Sequence, residues 1–166
     1  MDLEKISAHL EIQQALYTYC RGVDRCDSEL IKSVYHPGAI DEHGLFKGKG
    51  MEFAEVIAGE MEKRSANGQH HITNILIDLD GDVARVESYF ISLNPEVNPE
   101  GSVAPVTGRY LDRFERRDGA CKIAHRQVIL DYSYQALPPG KWELHDKFPN
   151  GAKQGQDLSY EFFQKK

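Results

Sequence analysis

Gln69-His70-His71-Ile72-Thr73-Asn74-Ile75-Leu76-Ile77, closed by Asp80-Gly81, is the stretch on which the fold turns. Aliphatic and β-branched residues dominate it, and the Asp-Gly pair is a hairpin signal, so it predicts a strand that turns back on itself. Adjacent residues of a strand point to opposite faces. One of the two histidines therefore looks inward and the other outward, and a doublet on one strand cannot ligate one metal ion. His70 is expected to share its face with Ile72, Asn74 and Leu76.

Upstream, the periodicity is helical. A first helix is predicted over about Ser7–Cys20, with Ile12, Leu16, Tyr19, Cys20 and Val23 along one apolar stripe and Gly22 as its stop. Asp24 lies just past that stop, on the side the stripe faces. Two readings stay open: Asp24 or Asp27 caps the next helix, or Asp24 is a desolvated base. A second helix is predicted from Asp27 to Tyr35, ended by His36-Pro37-Gly38. A short strand over Ala39–His43 and a third helix over Met51–Ser65 follow.

Downstream the period becomes two. Strands are predicted at His70–Leu79, Val83–Leu93, Val106–Arg117 and Ala120–Tyr134, with hairpins at Asp80-Gly81 and Asp118-Gly119 and a Pro/Gly-rich loop over Asn94–Ser102. Helices first and a long antiparallel sheet afterwards make an α+β fold. Residues 1–136 read as one domain. Residues 137–166 read as an extended tail packing on that domain or on a neighbouring subunit, with a short turn near Leu158–Phe163. The tail's aromatic residues (Trp142, Phe148, Tyr160, Phe162, Phe163) need a surface to cover.

At 166 residues with 40% hydrophobic and 28% charged composition, the chain suits one globular domain. A net charge of −6 with dispersed acids argues against nucleic acid. No apolar run reaches membrane-spanning length and the N-terminus lacks signal-peptide order, so a cytoplasmic protein is the expectation. Cys20, Cys26 and Cys121 form no metal-binding spacing, and no phosphate-cradling glycine motif is present. No cofactor is expected. Cys20 and Cys26 flank Asp24, either as reactive thiols or as small buried residues.

The order Tyr19…Gly22-Val23-Asp24, Tyr35-His36-Pro37, His70-His71-Ile72-Thr73-Asn74, Asp80-Gly81-Asp82-Val83-Ala84, Gly108-Arg109-Tyr110 and Glu115-Arg116-Arg117-Asp118-Gly119 resembles the SnoaL-like group of the NTF2-like superfamily over roughly residues 3–134. Within it the chain resembles scytalone dehydratase, hexachlorocyclohexane dehydrochlorinase and the bile-acid 7α-dehydratase. That resemblance implies a cone of three N-terminal helices on a curved antiparallel sheet. It implies a catalytic pair, Asp24 and His70, meeting inside one pocket, with Tyr19 assisting five residues before the aspartate. Tyr35, Asn74 and Tyr110 join as supporting or substrate-binding residues. Many relatives carry Trp after the second Asp-Gly turn where this chain has Cys121, a departure that concerns packing.

The implied activity is that of a cofactor-independent lyase or isomerase, dehydratase-like, acting on an apolar ring compound such as a polyketide, steroid or terpenoid. Neutral imidazole suits proton transfer, and a carboxylate beside it fixes its tautomer. The alternatives are a non-catalytic ligand-binding module and an accessory subunit of a ring-hydroxylating dioxygenase. On the last strand Lys122, Ala124, Arg126, Val128, Leu130 and Tyr132 are expected on one face; if that face is concave, Lys122 or Arg126 meets an oxyanion. The apolar face Ala84, Val86, Ser88 and Phe90 suggests a homodimer or homotrimer built from sheet surfaces.

Overall fold

The structure, a computed structural model, describes residues 3–64, 67–95, 103–133, 152–157 and 160. Three helices come first: α1 (Leu3–Asp24), α2 (Ser28–Ser33) and, after the hairpin β1 (Tyr35–His43) and β2 (Phe46–Lys49), α3 (Gly50–Arg64). Four long strands follow: β3 (Gln69–Asp80), β4 (Val83–Pro95), β5 (Val103–Arg117) and β6 (Ala120–Ser133). They form one curved, unclosed sheet in the order β2-β1-β6-β5-β4-β3, antiparallel throughout except for the β1–β6 pair.

The first helix runs two residues beyond Gly22, so Asp24 is its last residue rather than the residue after a stop. Gly22 is there for closeness. A Cβ at that position would lie 2.6 Å from Ile31 Cγ1, so only glycine lets α1 and α2 meet. The buried face of α1 is Ile12, Ala15, Leu16, Tyr19, Cys20 and Val23, at steps of three and four. Asp27 is the cap of α2, accepting the Leu30 N–H at 3.0 Å. The chain reaches it through Cys26 at φ 54°.

The second helix ends at Ser33, and Tyr35 opens a strand rather than closing a helix. A residue before proline avoids the helical region, so Tyr35-His36-Pro37 runs extended and pairs beside β6. The hairpin partner β2 was not expected; Gly44 at φ 65° turns the chain into it. Both Asp-Gly hairpins are present, and Asp118 and Gly119 both take positive φ (50° and 80°), as a type I′ turn requires. Asn94 and Pro95 extend β4, and residues 96–102 of the expected loop lie outside the described residues.

Two irregularities in the sheet decide which side chains face inward. Along β3, Ile72 pairs with Phe90 but Ile75 pairs with Ser88, so β3 carries one extra residue. His70, Ile72, Ile75, Ile77 and Leu79 point inward as a result. Asn74 and Leu76 are exposed, against the simple alternation. A second bulge, at Ala124, lies between the pairs Phe114–Ile123 and Arg113–His125. It places Ile123 and Arg126 on the inner face and Lys122 on the outer one, opposite Glu115.

The core runs from α1 across to the inner faces of β4, β5 and β6. Ala84, Val86, Ser88 and Phe90 belong to it. They are covered by the chain itself, which removes the ground for expecting a homodimer or homotrimer on that face. The outer face of β4 carries Arg85, Tyr89 and Ile91 instead.

Part of the tail docks on the domain. A short 3₁₀ turn at Gln154–Gln156 follows Lys153, whose Nζ donates to the Met61 and Glu62 carbonyls at the end of α3 (3.0 and 2.8 Å). The Gln154 N–H reaches the Arg25 carbonyl at 2.7 Å, Asp157 meets Arg25 at 3.3 Å, and Tyr160 donates to the free oxygen of Asp27 at 2.6 Å. Of the expected turn at Leu158–Phe163 only Tyr160 is among the described residues, and the aromatic residues Trp142, Phe148, Phe162 and Phe163 lie outside them.

Candidate active site

Between α1, α3 and the inner face of the sheet lies a cavity of about 280 Å³. Its walls are mostly apolar: Val23 from α1, Ile57 and Met61 from α3, and Phe90, Val106 and Val128 from the sheet. Larger hollows occur on the outer surface, but one of them, lined by Arg85, Glu87, Arg113 and His125, is open and shares no residue with this cavity.

His70 lines the cavity, and Asp24 stands behind it. The imidazole Nδ1 is 2.6 Å from Asp24 Oδ1, and the backbone N–H of His70 donates to Asp24 Oδ2 at 3.1 Å. A carboxylate only accepts, so Nδ1 carries the proton of this bond and Nε2 of a neutral ring keeps its lone pair. Both carboxylate oxygens thus hold the same residue, once by ring and once by main chain. The side chains are 10% (His70) and 14% (Asp24) exposed, enough shielding to strengthen the bond. Asp24 itself does not line the cavity. It borders a separate outer cleft with Tyr17, Cys20, Arg21 and Arg25, so the pair meets at the wall of the pocket rather than within it.

Tyr19 and Tyr110 face the cavity from its floor. Burial drives both phenols well above their ordinary range, with Arg126 pulling the other way, so both keep their protons and remain donors. Their rings meet edge-on at 5.6 Å, and the Arg126 guanidinium sits 4.1 Å from one centroid and 4.2 Å from the other. Arg126 does not reach the cavity. It is wholly buried and gripped by both oxygens of Asp112 at 2.7 Å. Burial works against its charge, but Asp112 and the surrounding phenols more than offset that and hold its proton more firmly than usual. Burial pushes the Asp112 carboxyl up while Arg126 pulls it down. Two bonds of 2.7 Å keep this pair ionised, and it forms the floor under the two tyrosines.

The remaining expected site residues lie elsewhere. Tyr35 is buried beneath the cavity, donating to Asp41 at 2.5 Å. Asn74 is exposed on the far side of β3, turned out by the bulge. Lys122 borders an outer groove with Leu10, Tyr17 and Cys121. Cys20 and Cys26 are buried, and burial raises both thiols, Cys20 to about 12. That leaves them as packing residues and not nucleophiles.

Three polar residues of the cavity were not anticipated: His43, Ser92 and Asn94. Ser92 is the cross-strand partner of His70 and accepts from Asn94 Nδ2 at 2.6 Å. Counting back from Asp80-Gly81 without a bulge would pair His70 with Leu93; one extra residue in β3 moves the partner to Ser92.

Comparison with known proteins agrees with this architecture. No curated protein sequence matches the chain. Among solved structures, hexachlorocyclohexane dehydrochlorinase LinA-type3 from Novosphingobium barchaimii is similar at a TM-score of 0.74 and 21% identity, covering 84% of this chain and 100% of that one. A scytalone dehydratase-like protein from Novosphingobium aromaticivorans is similar at 0.71 and 18%, covering 84% and 97%. An NTF2-like superfamily protein from Salmonella enterica is similar at 0.67 and 15%, covering 87% and 99%. At these identities the likeness shows the fold. The model of the SnoaL-like domain matches residues 4–127, and with three helices on a six-stranded curved sheet of the NTF2-like fold the chain belongs to the SnoaL-like family.

Proposed function

We propose that the protein is a cofactor-independent lyase or isomerase of the dehydratase type, which removes a proton from an apolar ring compound and releases a leaving group from the neighbouring carbon. One observation carries the reading: both oxygens of Asp24 hold His70, at 2.6 and 3.1 Å, at the wall of an apolar cavity. With Nδ1 committed to the carboxylate, Nε2 is the nitrogen left to act as base.

The steps follow from that arrangement. His70 takes the C–H proton, and Asp24 stabilises the imidazolium that forms. A positioned general base of this kind contributes about 10²–10⁴-fold. Tyr19 and Tyr110, held protonated, donate to the oxygen on which negative charge develops. The apolar walls favour a ring over a charged chain, and their size suits a polyketide-, steroid- or terpenoid-derived ring rather than a macromolecule. The names of two structural neighbours, a hexachlorocyclohexane dehydrochlorinase and a scytalone dehydratase-like protein, support elimination on rings.

The experiment is a screen of ring-hydroxylated ketones and chlorinated rings for loss of water or chloride, run with wild type and His70→Ala. Turnover by wild type and its loss in the variant, at an unchanged melting temperature, is the expected result. Equal turnover by both refutes the role of His70. Ring compounds that bind to wild type without reacting would assign the pocket to ligand holding instead.

A further inference from the structure

One corner of the apolar cavity is polar. Ser92 and Asn94 stand there, two residues apart near the end of β4, and both line the pocket. The edge strand of the sheet is β3, and the His70 N–H leaves the sheet for Asp24. In an antiparallel ladder, a residue whose N–H turns away from the partner strand belongs to a non-hydrogen-bonded pair. Its Cα lies about 4.5 Å from the opposite one, and the side chains are at their closest. His70 and Ser92 are such a pair. On its other side Ser92 is opposite Val106 of β5, another residue of the cavity wall. The polar corner therefore stands beside the base and against an apolar surface.

Its hydrogen bonding is incomplete. Ser92 is buried, and its Oγ accepts from Asn94 Nδ2 at 2.6 Å. A serine hydroxyl donates as well as accepts, so this bond leaves the Ser92 proton to be given elsewhere. Asn94 Oδ1 is shielded from solvent and has no hydrogen-bond partner among the described residues. A buried acceptor left unpaired costs free energy, and folded proteins keep few of them. One donor and one acceptor thus stand open side by side on the cavity wall. A hydroxyl group answers both: its oxygen accepts from Ser92, and its proton goes to Asn94 Oδ1. A chlorine cannot donate. It would close Asn94 Oδ1 off from water and leave it unpaired, which is how a site built for a hydroxyl rejects an analogue without one.

We propose that Ser92 and Asn94 form a hydroxyl-binding subsite beside His70, which selects a ring bearing a hydroxyl group over its chlorinated counterpart. This rests on the elimination reading above and names its substrate class: of the two kinds of ring in that screen, the hydroxylated one is the substrate.

The test is fluorescence titration of the full-length protein at neutral pH with three ring probes whose substituents cannot leave. The probes are 2-naphthol, which donates and accepts, 2-methoxynaphthalene, which only accepts, and 2-chloronaphthalene, which does not donate and accepts poorly. Wild type is expected to bind 2-naphthol the most tightly, although 2-chloronaphthalene is the more apolar. Asn94→Leu, close in size, removes the acceptor and is expected to weaken 2-naphthol at least tenfold while leaving the other two unchanged. Ser92→Ala removes the donor and is expected to weaken 2-naphthol and 2-methoxynaphthalene together, with 2-chloronaphthalene unchanged. A wild type that prefers 2-chloronaphthalene or does not discriminate overturns the proposal without recourse to any variant. So do variants that weaken all three probes equally or none. Each of these outcomes leaves the role of His70 standing. Failure of every probe to bind wild type refutes the pocket reading itself, and this inference with it.

Discussion

Replacing Arg126 with Met removes the cation under the two pocket tyrosines and leaves the Asp112 carboxylate buried with no partner. Both side chains are fully enclosed and joined by two 2.7 Å bonds, so no solvent compensates the loss. Breaking one side of such a pair costs about 3–5 kcal/mol. Met restores much of the packing against Tyr19 and Tyr110 but not the attraction of the charge for their faces. At roughly 2–4 °C per kcal/mol for a domain of this size, the melting temperature is expected to fall by ~6–20 °C. Asp112→Leu alone should cost a similar amount, because it strands the guanidinium. The double variant Arg126→Met/Asp112→Leu should recover most of the loss, since apolar groups replace the whole ion pair. The assay is thermal and urea unfolding of all four proteins, read as a double-mutant cycle. Additive losses, with the double variant the least stable of the four, would refute the claim that the two charges exist for each other.

Two further outcomes follow from the same geometry. Gly22→Ala should destabilise by about 1–3 kcal/mol through overpacking against Ile31, whose Cγ1 lies 2.6 Å from the added methyl, and the double variant Gly22→Ala/Ile31→Ala, which removes that Cγ1, should lose less than the sum of the two single losses; unfolding curves check both. The ring of His36 donates from Nε2 to the Glu115 carbonyl at 2.7 Å, and burial, then Arg117 and Lys122, lower its proton affinity. Its unfolded state therefore binds the proton more tightly. The stability tied to this neutral ring is present above about pH 6.5 and is lost as pH falls below it. His36→Gln keeps a donor and removes the titration, so the gap in stability between wild type and variant should change between pH 7 and 5; a constant gap would contradict the assignment.

Much of this architecture is legible in the chain because its signals are local. Asp80-Gly81 and Asp118-Gly119 mark hairpins through backbone preference alone, and the stripe from Ile12 to Val23 marks a helix through spacing alone. Asp24 and His70, 46 residues apart, came together through family resemblance; spacing alone favoured reading Asp24 as a cap. What escaped depends on single extra residues. The β3 bulge turns Asn74 outward and brings Ser92 opposite His70. The β6 bulge sends Lys122 outward and Arg126 inward. A bulge has no strong signature in a run of aliphatic residues, so period-two counting fails beyond it. Gly22 misled because glycine has two uses, ending a helix or admitting a neighbour, and Ile31, which chooses between them, is nine residues on. His43 was hidden because the β1–β2 hairpin is short and mostly polar, while the cavity it faces is built by α3 and the far strands.

The central claim is that Asp24 acts through His70 and not as a base of its own. A double-mutant cycle of Asp24→Asn and His70→Ala on the rate of elimination, with a ring substrate found by the screen, tests it most directly. Asn keeps the shape and loses the charge that stabilises the imidazolium. Each single variant is expected to lose on the order of 10²–10⁴-fold. The double variant is expected to lose little more than the worse single one, because residues that work as a unit are strongly non-additive. Losses that multiply, with melting temperatures unchanged, would mean that the two side chains act independently and would contradict the mechanism.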